Sequence, residues 1–125
     1  MKSIPKISDS EWEVLKVIWL NNPITAVEII DEIQKSLDWS TQTIKTYINR
    51  LVKKDVLGFE KIKRHYNYFP LISEEECIIA ESNSFIKRVF NGAASAMVSN
   101  FISNGELNDE DILELEKILK ENKKK

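Results

Sequence analysis

The side chains with the clearest chemical potential lie between residues 42 and 65, where cations, amides and hydroxyls are concentrated. This stretch contains seven Lys or Arg residues and only two carboxylates, although the whole chain of 125 residues has a net charge of −2. Cations neutralise phosphates, and amides and hydroxyls hydrogen-bond to the edges of nucleic-acid bases. The mixture therefore indicates an anionic partner.

Helical periodicity strengthens this interpretation over residues 41–54. At 100° per residue an apolar stripe runs through Ile44, Ile48, Leu51 and Val52, and the opposite face carries no carboxylate. A helix exposed only for solubility normally mixes Glu with Lys, so we favour an anionic partner over a face that is basic by chance. The residues predicted to make contact from this helix are Thr41, Gln42, Thr43, Lys45, Thr46, Asn49, Arg50, Lys53 and Lys54.

The segment after this helix alternates in polarity and then becomes rich in aromatic residues, which predicts a β-hairpin over 57–69. Its tip carries Lys61, Lys63 and Arg64 together with the single histidine, His65. Directly after a basic helix, we interpret the three cations as phosphate contacts, although basic tips also protect exposed sheet edges. His65 is interpreted as a tip contact or as a residue without a role, because no sequence motif pairs it with a carboxylate or a nucleophile.

Several other chemistries lack the residues that they need. One Cys, Cys77, and one His cannot form a zinc site of the usual Cys/His type or an internal disulfide, and three scattered Gly residues provide no phosphate-binding loop. We expect no catalytic site, no metal and no cofactor. No apolar run approaches the ~20 residues that span a bilayer, and residues 1–13 lack the apolar region of a secretory signal, so we expect a cytoplasmic protein.

Three predicted helix starts position the basic helix. The capping signals are the pairs Ser8/Glu11 and Thr25/Glu28 and the single residue Ser40, with Ile24-Thr25 as a short extended link. Three helices with short connections followed by a hairpin form a winged helix-turn-helix, in which 41–54 is the recognition helix and 57–69 is the wing. We therefore predict a mainly α protein whose residues 1–72 are a winged-helix DNA-binding domain.

Residues 73–125 are predicted to be a helical dimerisation domain. They carry seven cations and eleven carboxylates, and their three short amphipathic helices would make a poor core alone. A partner would complete that core, and a second copy of the chain is the most economical partner. The residues predicted to lie at this interface are Ile78, Phe85, Val89, Met97, Phe101, Ile112, Leu115 and Leu119.

Five motifs, in order along nearly the whole chain, together resemble the BlaI/MecI family of penicillinase repressors. They are Ile7-Ser8-x-x-Glu11-Trp12-Glu13-Val14, Val17-Ile18-Trp19, Trp39-Ser40-x-x-Thr43-Ile44-Lys45-Thr46, Arg50-Leu51-x-Lys53-Lys54 and Ser99-Asn100-Phe101. The resemblance implies a homodimer that binds an inverted-repeat operator on double-stranded DNA and represses β-lactamase or resistant transpeptidase genes.

The resemblance also implies a route of inactivation. In the family, a membrane sensor-protease that has been acylated by a β-lactam leads to cleavage of the repressor, and the cleaved pair maps here to Asn100 and Phe101. The region that this cut would sever is the dimerisation region of the family. A copper-sensing branch uses Cys-x-Cys pairs, and this chain has only Cys77, so metal sensing is not expected.

Three alternatives differ from this interpretation in what they predict. A winged helix used only for contact with other proteins would show no salt-dependent DNA binding, and the carboxylate-free helix face counts against it. An enzyme would need paired carboxylates, a nucleophile with a base, or a set of metal ligands, and none of these emerges from the motifs. A repressor of another regulon stays open, because fold and family do not name the controlled gene.

Overall fold

A computed structural model describes residues 3–123 of the chain and contains six helices and three strands over that range. In chain order these are α1 (Asp9–Leu20), β1 (Ile24–Thr25), α2 (Ala26–Gln34), α3 (Thr41–Lys53), β2 (Leu57–Ile62), β3 (His65–Pro70), α4 (Glu74–Phe90), α5 (Ala94–Ser103) and α6 (Asp109–Lys123). The chain divides into two compact units, of which the first ends at Glu81 and the second begins at Ser82. The division falls within α4, whereas the sequence pattern places the domain boundary at its start.

The N-caps predicted for the first three helices are confirmed. Ser8 Oγ accepts a hydrogen bond from the backbone N–H of Glu11 at 3.2 Å, and Glu11 Oε1 accepts one from the Ser8 N–H at 2.8 Å. The same reciprocal pair starts α2. Ser40 Oγ accepts the N–H of Thr43 at 3.1 Å and starts α3. Because each cap satisfies an N–H group that has no partner inside the helix, these local signals fix where the helices begin.

The predicted hairpin is confirmed, and it carries one strand more than the sequence predicts. β2 and β3 pair antiparallel, from Leu57 opposite Pro70 to Ile62 opposite His65. β1, predicted only as an extended link, pairs with the other edge of β3 and gives the strand order β1-β3-β2. A segment of two residues is too short to show the alternation by which a strand is recognised.

The hydrophobic core lies in the first unit. It consists of Ile7, Val14, Leu15, Ile18, Ile24, Ile29, Ile30, Ile33, Ile44, Ile48, Leu51, Val56, Leu57, Ile72 and Cys77. The apolar stripe predicted for α3 is confirmed at Ile44, Ile48 and Leu51, while Val52 is half-buried. One face of each of the three helices therefore packs inward, and the opposite face of α3 is left to solvent.

The second unit has a different character, since no residue between Ser82 and Lys123 is buried. The start of its last helix is capped by Asn108, whose Oδ1 accepts the N–H of Asp111 at 2.8 Å. Helix α5 begins at Ala94, two residues after Gly92. The only ring contact in the described part of this unit joins two residues of α4, Phe85 and Phe90, with centroids 5.9 Å apart.

Candidate nucleic-acid interface

The solvent-facing side of α3 holds most of the polar residues predicted to contact nucleic acid. The exposed members are Thr41, Gln42, Lys45, Asn49, Arg50 and Lys53. Thr43 and Thr46 are half-buried. The helix contains no Asp or Glu, and its last turn carries two cations, Arg50 and Lys53. This face can therefore attract phosphate and also offer amide and hydroxyl groups to base edges.

Hydrogen bonds made by side-chain hydroxyl groups order the first two turns of α3. Ser40 Oγ donates to Thr43 Oγ1 at 2.9 Å, in addition to capping the helix. Thr46 Oγ1 donates to the carbonyl of Gln42 at 3.0 Å. These bonds fix the hydroxyl groups at the end of a recognition helix that normally faces the bases.

Two aromatic residues that the sequence analysis did not assign to the site support Arg50. The Arg50 guanidinium carbon lies 5.8 Å from the centroid of the Tyr47 ring, and that ring meets Trp39 edge to face with centroids 5.4 Å apart. A cation at this distance from an aromatic face gains about 0.5–1 kcal/mol at an exposed site. The three-residue spacing of Tyr47 and Arg50 on one helix face was the signal that could have revealed the pair.

Lys54 differs from the other predicted contact residues because its ammonium group is already engaged. Lys54 Nζ donates to Glu11 Oε1 at 2.6 Å and to the carbonyl of Lys6 at 2.8 Å. Burial raises the pKa of the Glu11 carboxyl, but hydrogen bonds from Lys54 and Ser8 outweigh burial and leave this pKa below its ordinary value. The pair joins the end of α3 to the start of α1, so only the third N–H of Lys54 is left for the predicted phosphate contact.

The wing tip presents its predicted cations in an exposed turn. Lys61, Lys63 and Arg64 are all exposed, as is His65. Lys63 adopts a φ of 58°, in the left-handed region that costs a residue other than glycine about 1–2 kcal/mol. Lys63 and Arg64 form the two-residue turn between β2 and β3, and such turns commonly require a positive φ. The hairpin geometry therefore accounts for the backbone at Lys63 and turns its charged tip towards solvent.

The residues predicted to form a dimer interface are accessible along the C-terminal helices. Ile78, Val89 and Leu119 are exposed, and the remaining predicted members are half-buried, namely Phe85, Met97, Phe101, Ile112 and Leu115. Five further apolar residues are exposed, of which Val98 and Ile118 lie on the apolar stripes of their helices and Ile79, Ile102 and Leu113 do not. The signal for the last three was available as apolar positions beside the main stripe of each helix.

Asn100 and Phe101, the pair that matches the cleavage site of the resembled family, lie near the end of α5. Asn100 is exposed and Phe101 is half-buried. Beyond them, the Glu106 N–H donates to the carbonyl of Phe101 at 3.0 Å, and the Gly105 N–H donates to the carbonyl of Ile102 at 3.3 Å. Gly105 has a φ of 72°, which completes a Schellman motif. The peptide bond between Asn100 and Phe101 is therefore held in helical conformation.

Neither a metal-binding cluster nor a membrane-spanning helix is present among the described residues 3–123. Within that range, no group of three or more His, Cys, Asp or Glu side chains is arranged to hold a metal ion. Over the same range, no helix combines the length and the apolar character needed to cross a membrane.

Comparison with known proteins identifies the family. The model of the penicillinase repressor family matches residues 7–121. The chain belongs to the penicillinase repressor family. It is 46% identical over 123 residues to the penicillinase repressor of Bacillus licheniformis, and the alignment covers 98% of this chain and 96% of that protein. It is also 39% identical over 114 residues to the methicillin resistance regulatory protein MecI of Staphylococcus aureus, covering 91% of this chain and 93% of that protein.

Solved structures of a penicillinase repressor match the winged unit. The DNA-binding domain of the repressor BlaI has a TM-score of 0.55 and 46% identity, and the match covers 61% of this chain and 93% of that one. Bacillus licheniformis BlaI, in its monomeric form in complex with the blaP half-operator, has a TM-score of 0.54 and the same identity and coverage. The family and the mainly helical winged-helix fold predicted from the sequence are confirmed.

Proposed function

We propose that the protein is a DNA-binding repressor of β-lactamase or related β-lactam-resistance genes, and that it binds an inverted-repeat operator as a homodimer. The observation that carries this proposal is the solvent-facing side of α3. It presents cations, amides and hydroxyls without a carboxylate, in the same folded unit as a basic wing tip. Similarity to a repressor whose structure was solved with a half-operator supports double-stranded DNA as the partner.

The residues of the site divide into two groups by their position. Thr43, Lys45 and Thr46 occupy the first two turns of α3, and we assign them to base edges and adjacent phosphates in the major groove. The remaining residues surround that contact or lie on the wing, and we assign them mainly to the phosphate backbone; they are Thr41, Gln42, Asn49, Arg50, Lys53, Lys61, Lys63 and Arg64. Lys54 contributes mainly by joining α3 to α1.

The exposed apolar residues of the C-terminal helices support the proposed dimerisation. A unit without a single buried residue between Ser82 and Lys123 gains stability when a second copy covers its apolar side chains. A two-fold axis would place Val89 and Leu119 of one copy against the same surface of the other. The same symmetry would present two recognition helices to the two half-sites of a palindrome.

Release from DNA is the last part of the proposal. A membrane sensor-protease that responds to β-lactams would act on this protein in the cytoplasm, where the operator lies, and would lead to cleavage between Asn100 and Phe101. That cut separates α6 and the end of α5 from the rest of the chain. Two winged units that are no longer joined lose the effective concentration that raises their occupancy of a palindrome.

Salt-dependent DNA binding tests the proposed interface directly. In fluorescence-anisotropy titrations, replacing both Lys63 and Arg64 by Ala is expected to lower the slope of log K against log salt by about two, because each phosphate contact contributes ~0.9. Lys16→Ala is the matched control, since Lys16 is an exposed α1 lysine paired with Glu13 at 3.5 Å, outside the predicted interface. An unchanged slope in the double variant would exclude the wing from DNA contact.

Footprinting on the DNA upstream of a β-lactamase gene from the same genome tests the regulon. Protection of an inverted repeat there is the expected result. Protection of an inverted repeat only upstream of unrelated genes would assign the protein to another regulon, while leaving its role as a DNA-binding repressor intact.

A further inference from the structure

Near the ends of three of the helices described, an asparagine side-chain amide hydrogen-bonds to the carbonyl four residues earlier. The pairs, with the Nδ2–O distance, are Asn22–Ile18 at 3.0 Å, Asn104–Asn100 at 2.9 Å and Asn122–Ile118 at 2.9 Å. A carbonyl oxygen has two lone pairs, so an amide can bond to it even where a backbone N–H already does. In α5 the carbonyl so capped belongs to the Asn100–Phe101 peptide bond.

The backbone at this bond is held by several hydrogen bonds, and Asn104 supplies two of them. Its N–H donates to the Asn100 carbonyl at 3.1 Å, alongside the bond from its side chain. The Schellman motif engages the next two carbonyls, those of Phe101 and Ile102. The amide of Asn104 is the one side-chain donor to this peptide bond among the described residues.

Within a single copy of the chain, the bond is protected only by its backbone conformation and by the half-burial of Phe101. Asn100 and Asn104 are exposed, and an open groove is lined by Asn100, Phe101, Asn104, Glu106 and Leu107. A protease can therefore approach this surface, but a peptide bond in a helix does not have the extended conformation in which proteases bind substrates. The end of α5 must open locally before hydrolysis, and such openings are frequent where few buried contacts hold the backbone.

We propose that Asn104 is a positioning residue for cleavage of the Asn100–Phe101 bond, because its amide holds the carbonyl of that bond in the helix and so sets how often the bond opens. Once the segment is open, hydrolysis adds water across the amide and leaves a carboxylate on Asn100 and an amine on Phe101. This inference rests on the cleavage proposed above. When opening and closing are faster than cleavage, the rate follows the population of the open form.

The experiment digests the full-length protein under native conditions with thermolysin, which cleaves on the amino side of large apolar residues and so reports on this bond without the sensor-protease. Mass spectrometry follows the fragment that begins at Phe101. Asn104→Ala is expected to speed its appearance about two- to tenfold, the range for the loss of one net hydrogen bond. Asn104→Asp, which keeps the shape of the side chain but cannot donate, is expected to act in the same direction.

Asn122→Ala is the matched control, because Asn122 makes the same bond at the same distance in α6. It is expected to speed cleavage before Leu119 and to leave cleavage before Phe101 unchanged, whereas Asn104→Ala does the reverse. A general loss of stability would accelerate both sites in both variants. Synthetic peptides spanning residues 95–106, with and without the Asn104→Ala change, correct for direct recognition of residue 104 by the protease and are expected to be cleaved at equal rates.

Equal rates of cleavage before Phe101 in Asn104→Ala, Asn122→Ala and the unmodified protein would overturn the inference. Acceleration of both sites by both variants would overturn it as well, since Asn104 would then act only through overall stability. A separate measurement addresses the proposed function, by mapping the repressor fragments in β-lactam-treated cells that carry the sensor-protease. Absence of a fragment ending at Asn100 would refute the proposed cleavage, whatever the thermolysin digestion shows about Asn104.

Discussion

The two units of the chain use their apolar residues in opposite ways. In the first unit, Leu15, Ile44 and Leu51 are fully buried, and the helices and the wing enclose a continuous core. In the second, Leu113 and Leu119 remain 65% and 62% exposed, and no residue between Ser82 and Lys123 is buried. The first unit therefore has what it needs to fold alone, whereas the second has an apolar surface suited to association.

The ends of α3 and α5 differ in the same way, in how far their side chains are buried. Both α3 and α5 end in a Schellman motif, with Asp55 at a φ of 61° and Gly105 at a φ of 72°. After α3, the motif pairs Val56 with Leu51, and both side chains are fully buried. After α5, the equivalent positions are the exposed Glu106 and the half-buried Phe101. The same hydrogen bonds thus end one helix on buried core side chains and the other on side chains that solvent can reach.

The largest expected effect comes from removing a core side chain of the first unit. Ile48 is 1% exposed, and Ile48→Ala should lower the free energy of unfolding by about 2–5 kcal/mol. Leu119→Ala, in the exposed surface of the second unit, should change the unfolding of the first unit by less than ~0.5 kcal/mol. Urea denaturation followed by tryptophan fluorescence reports on the first unit alone, because all three Trp residues lie there. Equal losses in the free energy of unfolding of the first unit in the two variants would contradict this difference between a buried core and an exposed apolar surface.

A smaller effect is expected at the ion pair between Glu11 and Lys54. Lys54→Met keeps most of the apolar stem but leaves the Glu11 carboxylate, 1% exposed, without its cation, and should cost about 1–3 kcal/mol at neutral pH. The pKa of Glu11 is lowered in the folded protein. The ionised Glu11 carboxylate therefore stabilises the fold fully above its unfolded pKa of about 4.3, and this stabilisation is lost as the pH falls through the folded pKa.

The difference in stability between Lys54→Met and the unmodified protein should therefore narrow on acidification. Denaturation midpoints measured from pH 7 to pH 3 check this. A constant difference across that interval would show that Lys54 acts through packing of its stem and not through the Glu11 carboxylate.

The smallest expected change in stability is at the wing tip. Asn tolerates the left-handed φ of Lys63, so Lys63→Asn should raise the free energy of unfolding by up to ~1 kcal/mol. The same change removes a phosphate contact and should lower the salt slope of DNA binding by about one. Thermal denaturation and DNA titration of the same sample measure both quantities. A variant that is less stable and binds DNA unchanged would contradict both the backbone strain at Lys63 and its phosphate contact.

Local signals in the sequence predicted more of this structure than long-range contacts did. The spacing of Ser8 and Glu11 is a property of four consecutive residues, so it marked a helix start without knowledge of the fold. The Glu11–Lys54 pair joins residues 43 positions apart, and no local pattern indicates it. Lys54 was accordingly grouped with the phosphate contacts on charge alone. The support of Arg50 by Tyr47 was visible only as a spacing on one helix face, and β1 was too short to be recognised as a strand.

In the proposed function, the second unit joins two winged units on one operator, and one pair of affinities tests this. The full chain and a chain that ends at Asn100 are titrated against a half-site duplex and against the complete palindrome at the same salt concentration. Both chains should bind the half-site with equal affinity, because α3 and the wing are unchanged, while the shortened chain should bind the palindrome about a hundredfold or more weakly. Equal affinity of the two chains for the palindrome would contradict the account.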